Sequence, residues 1–279
     1  MSSSLISILI IGQSGQIAPV LTAYLCQNKS FTITTVSRLS CSSIESCQHY
    51  AIPSYTFELI SNIIYITKPD CIIYCLAAGS VRARPDSLDT IKYINYILPT
   101  KIWSLCNRDL YDVKFFYFSS TAIYKGLRSR SQVNILSEPS PVCDYSYYKV
   151  ILHENIIATA DTSPNAYSYQ LILASVFGGR EHSSRLIPRI VSYLKYQTSF
   201  SLYLSHDIRD YISVFDICLA IENLVLSVYP TSKSSNILAA SGVRYSNSEV
   251  FDFLKVLFDS HLVPTKILTL PAYYGDSLN

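Results

Sequence analysis

Leu5-Ile-Ser-Ile-Leu-Ile-Ile11 runs directly into Gly12-Gln-Ser-Gly15-Gln-Ile-Ala18, and then into Pro19-Val-Leu-Thr-Ala-Tyr-Leu25. The order reads as buried strand, glycine turn and helix. Gly12 allows a tight turn at positive φ. Gly15 lets the backbone approach a pyrophosphate, and Ser14, Gln16 and Ile17 put further amides around that approach. The helix start offers unpaired N–H groups and partial positive charge to an anion. Ala18 is small enough for close helix–strand packing, and Pro19 is tolerated in a first turn but not deeper. The pattern predicts a dinucleotide site, the alternative being a glycine turn that binds nothing.

Outward from this turn, the β-rich run Phe31-Thr-Ile-Thr-Thr-Val36 follows at the spacing of a βαβ unit. Ser37-Arg38 comes next, where an acidic residue would bond the 2′-hydroxyl of an NAD ribose. A small Ser with an Arg suits a 2′-phosphate, so NADP (NADPH) is favoured and NAD is the alternative. A solvated strand-end charge is the plainer reading of Arg38. Cys71 to Ala78 forms another buried-strand run, with the small residues Ala77 and Ala78 after Leu76 leaving room for a ligand at its end. Ile91 to Asn107 has helical spacing. Phe115-Phe-Tyr-Phe118 is a strand that delivers Ser119, Ser120 and Thr121 to the same edge. Gly126 to Ser140 is polar and reads as a loop, Asp144 to Ala160 as a helix, and Tyr167 to Val176 as a strand closed by Phe177-Gly-Gly179. Helices are also expected at Leu186–Lys195, Ile217–Val228 and Ser248–Asp259. Repeated βα units imply an α/β, Rossmann-type, doubly wound parallel sheet with ligands at the carboxyl ends of its strands. The expected division is 1–178 for the dinucleotide half and 179–279 for a small substrate lobe interleaved with the sheet.

Tyr145-Ser-Tyr-Tyr-Lys149 places a phenol and an ammonium four residues apart, on one helix face. A nearby cation favours the phenolate and moves a phenol toward proton exchange near neutrality. Ser120 can hold the reacting oxygen of a substrate beside it. With 23 tyrosines in 279 residues, Tyr-x-x-x-Lys gains weight only together with the glycine turn.

Composition narrows the classes. The net charge of +2, with 15% charged residues and no long basic run, gives no argument for nucleic acid or membrane surfaces. No apolar stretch approaches 18 residues, and the N-terminal run lacks a basic start, so neither a membrane span nor a signal peptide is expected. The eight cysteines include no C-x-x-C and read as reduced thiols of a cytoplasmic protein. Five scattered histidines show no metal-ligand spacing, so no metal is expected.

Taken together, Gly12-x-x-Gly15-x-x-Ala18, Leu76-Ala-Ala78, Asn95, Ser119-Ser-Thr-Ala-Ile-Tyr124, Glu138-Pro-Ser-Pro141, Tyr145-x-x-x-Lys149, Val176-Phe-Gly178 and Arg209-Asp-Tyr-Ile-Ser-Val-Phe-Asp216 resemble the extended short-chain dehydrogenases/reductases. Within them the resemblance is to the NAD-dependent epimerase/dehydratase group that modifies nucleotide sugars, and it covers about residues 5–260. It implies Ser120, Tyr145 and Lys149 as the catalytic set. It implies Gly12, Gly15 and neighbouring amides around the pyrophosphate, and Arg209 near the phosphates of a sugar nucleotide, with an ion pair to Asp207 or Asp210 as the alternative for Arg209. Thr121 and Ser175 fall at substrate positions, but Ser175 and Ile172 replace the usual Asn and Arg. Thr121-Ala122 stands where dehydratases carry their acids, which argues against water elimination. The expected function is reduction of a 4-keto-6-deoxy sugar nucleotide. The alternatives are a nucleotide-sugar 4-epimerase and a non-catalytic dinucleotide-binding member. The resemblance also implies a homodimer through the helices of Asn95 and Tyr145.

Overall fold

The computed structural model describes residues 5–39, 47–80, 85–110, 112–127, 133–160, 166–197, 202, 207–228, 230 and 232–259. The chain opens with β1 (Ile6–Ile11), α1 (Ala18–Leu25), β2 (Phe31–Ser37), β3 (Cys47–Ala51) and α2 (Phe57–Thr67). It continues with β4 (Cys71–Tyr74), α3 (Leu88–Lys92), a π-helical turn at Tyr93–Ile97, α4 (Leu98–Asp109), β5 (Val113–Ser120) and a 3₁₀ turn at Thr121–Tyr124. After α5 (Asp144–Ala160) come β6 (Ala166–Leu173), β7 (Ser175–Phe177), α6 (Leu186–Tyr196), β8 (Ile208–Ser213), α7 (Val214–Leu226), β9 (Ser234–Ala239), β10 (Arg244–Ser246) and α8 (Asn247–Asp259).

Seven strands form a parallel sheet in the order β3-β2-β1-β4-β5-β6-β9. The chain winds outward one way from β1 and then the other way from β4. The switch point therefore lies between those two strands, where open α/β sheets bind ligands. Alternation along the strands sorts the side chains into two cores. Ile8, Ile10, Ile33, Ile73, Phe116 and Phe118 face α1 and α7, meeting Leu21, Leu25, Ile217 and Ile221. Leu9, Ile11, Ile72, Tyr74, Phe115 and Tyr117 face α2, α4 and α5, meeting Ile60, Ile64, Ile102, Trp103, Leu152 and Ile156. Burial on both faces explains why the central strands are near-continuous apolar runs without alternation of polarity.

Local chemistry ends the elements. Thr56 caps α2, its hydroxyl accepting from the Leu59 amide at 3.4 Å, and Lys68 closes that helix in the left-handed region at φ 42°. Ser213 caps α7 by accepting from the Phe215 amide. Two expected strands are corrected. The run from Cys71 leaves the ladder after Tyr74, because its continuation to Gly79 turns away to line the cleft described below. The run from Tyr167 is two strands. β6 stays in the large sheet, and after Ala174 β7 pairs with β8 in a second sheet of order β10-β8-β7. The expected helix at 91–107 runs from Leu88 to Asp109 and is interrupted by the π turn. Residues beyond 178 return to the main layer, since β9 pairs with β6 and α7 packs on α1. No helix among the described residues is long and apolar enough to cross a membrane.

Candidate functional site

At the switch point a cleft of about 600 Å³ opens over the carboxyl ends of β1, β4 and β5. Its first wall is the glycine turn. Gly12 sits at φ +107°, and a Cβ there would come within 2.8 Å of Leu76 Cδ2, so glycine is required on both conformational and steric grounds. The Gly12 and Gln13 amides both donate to Val36 O, at 2.9 and 3.1 Å, and the Gly15 amide donates to Gly12 O at 2.9 Å. Gln13 is turned inward, and Thr22 Oγ1 donates to its Oε1 at 2.7 Å, tying the turn to α1. No side chain caps the start of α1, and the turn residues ahead of it, Ser14, Gly15, Gln16 and Ile17, line the cleft. A backbone cradle that a Cβ would fill fits a pyrophosphate.

The second wall carries the chemistry. β5 ends at Ser120, whose Oγ accepts from the Ala122 amide at 3.2 Å, which leaves its own proton for another acceptor. Tyr145 and Lys149 project from α5 into the same cleft, with Lys149 Nζ 5.8 Å from the centre of the Tyr145 ring. Lys149 is only 2% exposed, and burial pushes its ammonium down to about 8 from the usual 10.5. Asn95, fully buried in the π turn, donates from Nδ2 to Ala78 O at 2.8 Å and accepts from the Ala78 amide at 3.2 Å. It fixes the strand-end residues Leu76–Ala78 beneath the cleft. Such π turns occur frequently at functional sites.

The third wall comes from the segment after β7. Gly179 at φ +94° lies so close to the glycine turn that a Cβ would meet Gln16 O at 2.3 Å. Gln16 Nε2 donates to Gly178 O at 3.2 Å, and the Arg180 amide donates to Gln16 O at 3.4 Å. Arg180, Glu181, His182 and Arg185 then line the cleft opposite Ser120. Asp86 also lines it, with its carboxylate accepting from the Gly79 amide at 2.7 Å.

Of the residues expected from sequence, Gly12, Ser14, Gly15, Gln16, Ile17, Arg38, Leu76, Ala77, Ala78, Ser120, Thr121, Tyr145, Lys149 and Ser175 meet in this one cleft. Two do not. Ser37 is 1% exposed, and its hydroxyl donates to Leu39 O at 2.7 Å, within β2's own end. Arg209 is 6% exposed on β8, with its guanidinium 3.8 Å from the Asp207 carboxylate. Tyr55, Arg180, His182 and Arg185 also line the cleft and were not given a site role from sequence; Ser119, placed at the same edge as Ser120, lines it too. Of these, only Ser119, beside Ser120 in the same run, carried a signal in the sequence.

The sequence profile of the NAD dependent epimerase/dehydratase family matches residues 8–233. No curated protein matches the sequence. Among solved structures, the chain superposes on a dTDP-glucose 4,6-dehydratase from Bacillus anthracis str. Ames in complex with NAD at a TM-score of 0.77 and 18% identity, covering 91% of this chain and 81% of that one. It superposes on a UDP-glucose 4-epimerase with UDP-glucose from Thermotoga maritima at 0.76 and 19% identity, covering 91% and 83%. A UDP-N-acetylglucosamine 4-epimerase from Methanobrevibacter ruminantium M1, in complex with UDP-N-acetylmuramic acid, gives 0.77 and 18%, covering 92% and 83%. At these identities the likeness is one of fold. With the profile spanning most of its length, the chain belongs to the NAD dependent epimerase/dehydratase family.

Proposed function

We propose that this chain is an NADPH-dependent reductase of a 4-keto-6-deoxy sugar nucleotide. The observation that carries the reading is the company Ser120 keeps. One cleft holds the glycine cradle, Ser120, Tyr145 and Lys149, while Thr121 and Ala122 occupy the turn after Ser120. Elimination of water needs an acid and a base there, and neither residue is one. The cleft's described carboxylates are Asp86, held by the Gly79 amide, and Glu181 on the far wall.

The cradle and the Lys149 ammonium fit a dinucleotide. Gly12, Gly15 and the neighbouring amides of Ser14, Gln16 and Ile17 would hold its pyrophosphate, and Lys149 would hold its nicotinamide ribose. When bound in reduced form, it supplies the hydrogen and electron pair that turn a ketone into an alcohol. Ser120 donates a hydrogen bond to the ketone oxygen and fixes it beside Tyr145. Tyr145 gives that oxygen its proton. The ammonium beside it stabilises the phenolate left behind, which solvent then reprotonates. The cations Arg180 and Arg185 suit the diphosphate of the sugar nucleotide. Residues 1–178 would then carry the dinucleotide and the catalytic residues, and 179–279, interleaved with the sheet, would complete the substrate site. Two copies would pair through the helical stretch containing Asn95 (α3, the π turn and α4) and α5, which carries Tyr145 and where Tyr147 is 49% and Ile157 43% exposed.

The test is consumption of NADPH against a panel of 4-keto nucleotide sugars. Stoichiometric oxidation supports the reductase. A 4-epimerase is the second reading, favoured by the epimerases among the superposed structures. It predicts tightly retained NAD and sugar interconversion with no net consumption of cofactor.

A further inference from the structure

Tyr55 stands on the turn between β3 and α2, just ahead of the capping Thr56. It is 9% exposed yet lines the cleft. The Arg38 guanidinium lies over its ring, 5.5 Å from the centroid. Its hydroxyl sits against Ser14 of the glycine turn and the backbone of Arg38, without a bond at full hydrogen-bonding geometry. Burial raises this phenol above its usual range, so it remains an O–H donor at neutral pH. At the end of β2 the Ser37 hydroxyl is turned away from the cleft, to Leu39 O and His49. No carboxylate among the described residues pairs with Arg38.

We propose that Tyr55 is a specificity residue for the adenosine end of the dinucleotide, its ring seating Arg38 and its hydroxyl donating alongside the guanidinium to a 2′-phosphate. The proposal rests on the dinucleotide reading above and deepens it. A guanidinium beside the Tyr55 hydroxyl, with no carboxylate among the described residues to claim it, suits a phosphate dianion, which only accepts hydrogen bonds. A guanidinium laid on an aromatic face is held in place before the ligand arrives. Because that face is covered by Arg38, the ring is not a platform for the adenine base. The glycine turn would hold the pyrophosphate from Ser14 onward, so the hydroxyl beside Ser14 lies where the adenosine ribose must pass.

The experiment is a calorimetric titration of the intact chain with two fragments, adenosine 2′,5′-bisphosphate and AMP. It compares wild type, Arg38→Ala, Tyr55→Phe and Tyr55→Leu, with melting curves to show that each is folded. Wild type should prefer the bisphosphate. Tyr55→Phe, which removes only the hydroxyl, should lose about tenfold of that preference with AMP affinity unchanged. Tyr55→Leu, which also removes the ring, should approach Arg38→Ala. If Tyr55→Phe and Tyr55→Leu both keep the wild-type preference while Arg38→Ala loses it, Tyr55 is a core residue and the proposal is overturned, with the NADPH reading intact. Equal affinity of wild type for both fragments overturns the proposal and the NADPH preference together. Failure to bind either fragment removes the dinucleotide reading itself.

Discussion

The two ends of the cleft are built from different materials. At the end proposed for the pyrophosphate the contact surface is backbone: Gly12 at φ +107°, Gly15 and the turn between them, braced from below by Val36 O and the buried Gln13. At the end proposed for the substrate it is side chains, Arg180, Glu181, His182 and Arg185, carried on the segment from β7 into the start of α6. A backbone cradle accepts one shape and is indifferent to most side-chain changes nearby. A side-chain surface can be rewritten one residue at a time. Under the proposed function, that difference makes the two ends separable by mutation.

Tyr145→Phe strikes the seam between them and has the largest expected effect. Turnover should fall by about 10²–10⁴-fold, the usual contribution of a positioned acid, while titrations of dinucleotide and of sugar nucleotide remain close to wild type. Loss of either binding would mean that the two ends are not independent. Gly12→Ala attacks the cradle. Positive φ and the 2.8 Å approach to Leu76 should cost about 1–3 kcal/mol of stability and weaken dinucleotide binding by about tenfold or more. Arg185→Ala is its mirror image, raising KM for the sugar nucleotide by about tenfold with dinucleotide affinity unchanged. A variant that shifted both affinities equally would break the comparison.

Lys149 sharpens it through pH. Its folded value of about 8 lies below the unfolded 10.5, so the unfolded chain binds more protons between those values and stability rises with pH across that window. The rise should be at most about 3 kcal/mol and should disappear in Lys149→Met, as denaturant melts at pH 7.5 and 9.5 would show. Dinucleotide affinity should move the other way, falling as pH passes about 8 and the ammonium loses its proton. The smallest expected effect belongs to Gln16→Ala. Losing its amide's bond to Gly178 O should cost about 1 kcal/mol and loosen both ends of the cleft by a few-fold, since Gln16 is the strut between them.

The same contrast governs what the sequence disclosed. Glycine spacing announces a backbone cradle because only glycine satisfies the geometry, so Gly12 and Gly15 were legible, as were Ser120 at a strand end and Tyr145 with Lys149 at helical spacing. α5 was legible from end to end, Asp144 to Ala160. β3 was not, because Cys-Gln-His-Tyr-Ala is an edge strand without an apolar run. The split of β6 from β7 was hidden because Leu171 to Val176 is apolar except for Ser175, while the chain changes sheets at Ala174. Ser37 illustrates the limit most plainly. It stands at the expected position, but period-two alternation turns its side chain toward β3's His49 and leaves Arg38 at the cleft. Arg180, His182 and Arg185 have no distinguishing spacing, and only the approach of Gly179 to Gln16 brings them over the site.

The central claim is that Ser120, Tyr145 and Lys149 reduce a ketone on a sugar nucleotide. It is tested most directly by following NADPH in the presence of a 4-keto-6-deoxy sugar nucleotide, with wild type and Tyr145→Phe side by side. The account predicts one equivalent of NADPH consumed per sugar reduced by wild type, and almost none by the variant. Equal turnover by Tyr145→Phe would contradict it, as would conversion of one nucleotide hexose into its C4 epimer with no net NADPH consumed.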